Sequence, residues 1–194
     1  SIIKVNEKKP GNSAVTELDF RHPSITFDAL EAIGVRVNRD APSAAADLEP
    51  EYVTIDGTTA YVSLQENNAI VSFDIFNPRK IQIDDFLPLG EKDHSDPANG
   101  LDASNRDDAI NIKPYDISGL YMADQIATID VDGVTYILTA NDGDGRDVDE
   151  SRGADLVDGD LSNGEIDTSE VSTTLQVQLG LDDQLGRLKF SNVD

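Results

Sequence analysis

The stretch Glu51–Ile83, EYVTIDGTTAYVSLQENNAIVSFDIFNPRKIQI, decides the fold class. EYVTI and TAYVSLQ are two β-rich runs separated by Asp56-Gly57, a strong short-range hairpin signal. Asn67-Asn68 turns the chain into AIVSFDIF, and Asn77-Pro78 turns it again into KIQIDDFLPL. Four short antiparallel strands within about 40 residues have the size of one propeller blade.

A weaker copy follows. QIATIDVDGVTYILTAN (Gln125–Asn141) repeats EYVTIDGTTAYVSLQEN (Glu51–Asn67), each with Thr-Ile-Asp, then Gly, then Tyr followed by Val or Ile. The copies start 74 residues apart, which exceeds a blade period near 45 by roughly 30 residues. Residues 91–123 supply an insertion of about that size, and a second polar segment runs from Asp142 to Glu170. The later runs VSTTLQVQL and GRLKF read as further strands. Upstream, residues 1–24 read as a connector or edge strand, FDALEAIGVRV as one or two helical turns that stop at Gly34 before a strand, and Asp40–Asp47 as a loop. The expected fold is all-β: a partial β-propeller of four-stranded antiparallel blades over residues 25–194, carrying long acidic insertions. A β-sandwich is the alternative. Radial propellers close with four or more blades, so the chain is expected to pair with the rest of a propeller or with another protein.

The 38 acidic residues against 15 basic ones leave a net charge of −23 over 194 residues. Such a surface repels phosphate backbones and anionic headgroups, which excludes nucleic acid and direct membrane insertion and favours divalent cations as partners. Halophilic or marine solvation accounts for dispersed charge equally well. With no Cys there is neither a disulfide framework nor a thiolate site. No apolar run reaches the roughly 18 residues of a spanning helix.

The charge is concentrated. Asp142–Glu170 holds eleven carboxylates against Arg146 and Arg152, a net −9, and Glu91–Asp108 adds −4. Calcium takes six to eight oxygens, and Gly lets a loop curl so that alternate side chains converge. Asp142, Asp144, Asp147, Asp149, Asp158, Asp160 and Glu165 are therefore the candidate calcium ligands. The spacing is not an EF-hand, because Gly164 falls at the seventh loop position and Ser169 stands at the twelfth. The other reading is a solvated acidic loop. His94, among the acids of the first insertion, is a candidate ligand or base; Arg106 and Arg146 are candidate grips for phosphate or carboxylate. Hairpin geometry brings Glu49 and Glu51 to the same sheet edge as Asn67, a candidate ligand-binding cluster that Asp124, Gln125, Asn141 and Asp142 repeat. No nucleophile elbow, P-loop or dinucleotide fingerprint is present.

The strings DLEPEYVTIDG, TAYVSLQENNAI, PLGEKDHSDPANGLDASNRD, GLYMADQIATIDVDGVTYILTANDGDGRD and ESR, in this order, resemble the choice-of-anchor I family. That family is similar to the mesenchyme-specific cell-surface glycoproteins, and some bacterial members are labelled alkaline phosphatase or phytase-like. The resemblance covers roughly Phe27 to Arg152. It implies a secreted β-propeller held at the cell surface and longer than this chain, which would correspond to the N-terminal part. The expected function is an extracellular, calcium-binding surface module for binding or scaffolding. The alternative is a metal-dependent phosphomonoesterase in which bound calcium holds the substrate phosphate.

Overall fold

A computed structural model describes residues 2–4, 6–77, 80–146, 148–158 and 171–193. The expected turn at Pro78 and the candidates Asp147, Asp160 and Glu165 lie outside these residues, as does the side chain of Asp158. The chain divides into two units: Ser1–Leu89 with Met122–Gly143, and Gly90–Tyr121 with Asp144–Asp194.

In the first unit, β1 (Ile2–Lys4) pairs antiparallel with β2 (Ala14–Thr16). Helix α1 (Phe27–Glu31) starts where the Thr26 hydroxyl accepts from the Ala29 amide at 3.2 Å. It stops at Gly34, whose φ of +89° is open to a residue without Cβ. The strand expected after it does not form. Val35–Asn38 is buried as irregular chain, held by the Arg36 amide donating to the Asn67 carbonyl at 3.0 Å. Within the expected loop 40–47, Ser43 caps a short helix, α2 (Ala44–Asp47), because a capping hydroxyl precedes three good helix formers.

Strands β3 (Pro50–Asp56), β4 (Thr59–Leu64), β5 (Ala69–Asp74) and β6 (Gln82–Pro88) then form one antiparallel meander in that order. Alternation assigns its two faces. Ala60, Leu64, Ala69, Val71 and Phe73 pack against Phe20, Leu30, Val35, Val37 and Leu48 in the main core. The opposite face presents Thr54, Tyr61, Ile70 and Leu87, positions set by the pairings Thr54↔Tyr61, Ser63↔Ile70 and Ile70↔Leu87.

The chain leaves this unit through β7 (Glu91–Asp93), which pairs with β8 (Ser118–Leu120) at the base of the insertion, and returns as the hairpin β9 (Ala123–Val131) and β10 (Val134–Asn141). Ile126 and Ile137 of that hairpin pack on Ile70, with Tyr61 and Leu87 beside them. Thr54 and Thr128 hydroxyls meet at 3.4 Å, and the Thr135 hydroxyl donates to Asp56 at 2.7 Å.

The turns fix how the two hairpins correspond. Pairing of Asp56 with Thr59 leaves Gly57-Thr58 as a two-residue loop, and pairing of Val131 with Val134 leaves Asp132-Gly133 as another. Counted from these equal turns, the pair Thr54/Tyr61 matches Ile129/Tyr136, and Val53/Val62 matches Thr128/Ile137. The offset is therefore 75 residues, one more than the Thr-Ile-Asp strings give. A slip of one residue exchanges the faces of a strand. The Thr54/Tyr61 face of the first copy meets the Thr128/Ile137 face of the second, so the copies stack head to tail, one type of face on the other.

In the second unit, β11 (Glu150–Arg152) pairs with β12 (Lys189–Ser191), and helix α3 (Gly153–Asp158) follows β11, so part of the acidic segment is regular structure. The expected strand VSTTLQVQL is instead helix α4 (Thr173–Leu179), capped by the Ser172 hydroxyl. Its apolar residues fit both periods, but Leu175 and Leu179, four apart, join the core while Val177 is exposed. Ala103, Tyr115, Leu179 and Leu185 centre this core. The described residues are thus mainly β, in antiparallel sheets of which none is closed.

Candidate functional site

The edge cluster expected from Glu49, Glu51 and Asn67 forms around Asn67, which is 0% exposed. Its Nδ2 donates to the Arg36 carbonyl at 2.9 Å and to Asp47 Oδ2 at 3.1 Å, while its Oδ1 accepts from the Glu49 amide at 3.1 Å. Asp47, itself buried, also accepts from the Asn38 amide at 3.1 Å, and the Arg36 guanidinium donates to the Glu66 carbonyl at 2.8 Å. Asn67 therefore ties α2, the β4–β5 turn and the chain after α1 into one buried polar knot. Such a knot fixes local geometry because every buried donor and acceptor in it needs a fixed partner. Glu49 is half-buried and Glu51 exposed at its rim.

The repeat of this edge in the second hairpin lies close by. Ser63 donates to the Asp124 carbonyl at 2.8 Å, and Gln65 Nε2 donates to Asp142 at 2.5 Å. Asn68 adopts a positive φ and accepts from the Met122 amide at 3.0 Å. The two hairpin ends are thus joined at one edge.

In the insertion the acids act mainly as turn acceptors. Asp93 Oδ1 accepts from the Ser95 amide, Asp96 Oδ1 from the Ala98 amide and Asp107 Oδ1 from the Ala109 amide. The Ser95 hydroxyl, reinforced by that amide, holds the Asp93 carboxyl below the usual carboxylate range. His94 Nδ1 lies 2.7 Å from the Asn99 carbonyl, so this nitrogen carries the proton. The ring packs so closely on Gly119 that an added Cβ there would fall 2.6 Å from Nε2. The Arg106 residue is exposed, with its amide held by the Ser104 hydroxyl.

The acidic segment divides into two environments. Asp142 and Asp144 are exposed, and Asp144 accepts from the following Gly145 amide at 3.0 Å. Asp149 is buried with Arg146, Nη1 to Oδ2 3.3 Å, the side chains being 1% and 8% exposed. A buried pair of this kind balances its own charge and is committed to the fold. Glu150 lies beside it, 3.5 Å from Lys189. The Asp149 carbonyl accepts from the Asn192 amide at 2.7 Å, linking the pair to the end of β12. Among the described residues no three His, Asp or Glu side chains converge in a way that could hold a metal ion. The arrangement signalled by i, i+3 spacing, Arg146 to Asp149, was the feature that the carboxylate count alone did not reveal.

An antiparallel β domain whose hairpins repeat and stack defines the class. The chain belongs to the choice-of-anchor I domain family, whose description matches residues 1–194. Domains of this kind are associated with cell-surface or exported proteins. No curated protein and no solved structure matches the chain. Among the described residues no helix is long and apolar enough to cross a membrane.

Proposed function

We propose that the chain is part of an extracellular β-propeller that serves as a cell-surface binding or scaffold module, with calcium held by the acidic segment 142–170. The observation that carries the propeller reading is the head-to-tail stacking of the two hairpins. Successive blades of a propeller meet in this way, each presenting one face forward and the other back. Family membership supports the surface setting. For calcium, the support is narrower. Arg146 neutralises Asp149 within the fold, so the calcium reading rests on Asp142, whose Oδ1 accepts from Gln65, and on Asp144 together with Asp147, Asp158, Asp160 and Glu165. The phosphomonoesterase reading loses Arg146, whose side chain is buried in its pair and not presented to a phosphate.

Calorimetric titration of chelator-treated chain with calcium tests the ion reading. Binding heat, with thermal stabilisation that grows with calcium concentration, is the expected result. It should weaken in Asp144→Asn and persist in Asp149→Asn. No heat and no stabilisation at millimolar calcium would remove calcium from the proposal and leave the stacked-blade reading untouched.

A further inference from the structure

The first unit holds a cavity of about 770 Å³ between the chain leading into α1 and strand β6. That volume falls in the range of roughly 300–1,000 Å³ usual for small-molecule sites. Its floor is apolar: Ile25, Leu30, Phe73, Ile83 and Phe86 line it, and all five belong to the main core or pack against it. Phe73 and Phe86 are held by tilted contacts with Phe20, at ring-centroid separations of 6.3 and 6.2 Å. Asp19, Arg21, Asp84 and Asp85 form an exposed, charged rim. Asp19 is committed to Arg21, whose guanidinium lies 3.5 Å away and whose amide donates to the same carboxylate at 3.0 Å. Asp85 keeps its charge while accepting from the Phe86 amide at 2.9 Å. Pairing of Phe73 with Ile83 and of Ser72 with Asp85 leaves Asp84 as an extra residue in β6. Such bulges re-aim a side chain and are over-represented at sheet edges and beside active sites. Among the described residues the Asp84 carboxylate takes up no hydrogen bond or ion pair.

We propose that this cavity binds a small organic ammonium ion with an apolar body, the body on the aliphatic floor and the cationic head by Asp84, Asp85 and the Phe86 ring. Each part of the site selects for such a ligand. The floor rewards burial of hydrocarbon, which a bare metal ion lacks. An aromatic ring attracts an ammonium within about 6 Å of its face, and the two rim carboxylates add to that attraction while repelling an anion. An alkylammonium head is also weakly hydrated compared with a hard divalent cation, which two exposed carboxylates would not supply with six or more oxygens. Further blades would not fill this site. Blades meet across sheet faces, and the face beside the cavity is already covered by Phe20, Leu30, Val35, Val37 and Leu48 of this chain. The cavity instead opens beside β6, an edge strand of its sheet. Neither calcium binding nor closure of a ring is required for it.

Amide NMR titration of the isotopically labelled whole chain provides the test, with hexyltrimethylammonium, hexanol and hexanesulfonate as probes that share one apolar body and differ in the head. Hexyltrimethylammonium should shift the amides of Ile25, Ala29, Ile83 and Phe86, hexanol should bind on the order of tenfold more weakly, and hexanesulfonate should not bind. Asp84→Asn should weaken the cation about two- to fivefold and leave hexanol unchanged, as expected of an exposed carboxylate. Asp132→Asn, at the β9–β10 turn, removes the same charge elsewhere and should change neither. Ala29 and Ile33 line the cavity at exposed positions, so Ala29→Trp, which fills it, and Ile33→Lys, which sets a cation at its rim, should each abolish binding. Circular dichroism checks that each variant is folded, and either one suffices should the other misfold. Absence of localised shifts at millimolar hexyltrimethylammonium overturns the proposal, as does hexanol binding as tightly as the cation. Equal weakening by Asp132→Asn and Asp84→Asn also overturns it, since that marks a general attraction of cations to a chain of net charge −23.

Discussion

Replacing Asn67 by alanine tests whether the buried knot at the β4–β5 turn holds the first unit together. The side chain is fully buried, and its three shortest hydrogen bonds run to the Arg36 carbonyl, to the Asp47 carboxylate and from the Glu49 amide, with a longer one to the Asp47 carbonyl at 3.4 Å. A net hydrogen bond between neutral groups is worth about 1 kcal/mol, and one to a charged group about 1.5–3 kcal/mol. The three together give about 3.5–5 kcal/mol, and partial relaxation around the smaller side chain should reduce the observed loss to about 3 kcal/mol. For a chain of this length that corresponds to a fall in Tm on the order of 6–12 °C. Urea unfolding followed by circular dichroism gives the free-energy change, and a thermal scan gives the shift. The companion variant Asn67→Asp sharpens the test, because it sets a second carboxylate where Nδ2 now donates to Asp47 at 3.1 Å. One of the two must then hold a proton, so a folded-state pKa lies above its unfolded value near 3.9. A group with a raised folded pKa binds more protons folded than unfolded, so stability falls as pH rises through that window. Asn67→Asp should accordingly be less stable than Asn67→Ala at neutral pH, with the gap closing on acidification. A loss below about 1 kcal/mol for Asn67→Ala would refute the reasoning, since it would mean that the knot is dispensable.

Gly145→Ala should destabilise the second unit by about 1–3 kcal/mol, because an added Cβ would overlap the Glu150 carboxylate, in a side chain only 8% exposed. Chemical unfolding read against the wild type measures it, and unchanged stability would show that Glu150 moves aside freely. The Asp93 carboxyl, held low by the Ser95 hydroxyl and amide, should titrate below an ordinary aspartate in a carbon-detected NMR titration and move up in Ser95→Ala. Its contribution to stability is present above the ordinary aspartate pKa near 3.9 and is lost as pH falls through the lowered value. An unshifted titration would contradict the hydrogen-bond assignment.

The hairpins were legible because each carries several agreeing signals: alternation, β-branched residues and a Gly-bearing turn. Their mutual arrangement was not. Thr-Ile-Asp repeats at 74 residues while the turns repeat at 75, and only strand pairing decides which spacing governs the faces. The strand expected at VSTTLQVQL failed for a related reason. Leu175, Val177 and Leu179 satisfy a two-residue period, and Leu175 with Leu179 also satisfies a helical one, so the cap at Ser172 and the core contact decided between them. Among the site residues, composition identified acids but not their company. Asp149 belongs to a buried pair with Arg146, and Asn67, read as a ligand-binding residue from its place at a strand end, is occupied inside the fold.

The division of the chain also bears on the order in which it is made. Neither unit is contiguous: the first is interrupted after Leu89 and resumes at Met122, and the second is interrupted after Tyr121 and resumes at Asp144. During synthesis the β3–β6 meander is complete once Pro88 has emerged, yet the hairpin that covers Tyr61, Ile70 and Leu87 arrives only after 34 intervening residues. That apolar face must wait uncovered on the nascent chain, a state prone to collect wrong partners. Pairing of β7 with β8 shortens the wait in space though not in time, since it brings the ends of the insertion together before β9 begins. No single cut separates the units, so a truncation between Leu89 and Met122 would remove the β9–β10 hairpin and leave the first sheet with a bare face instead of releasing an intact piece.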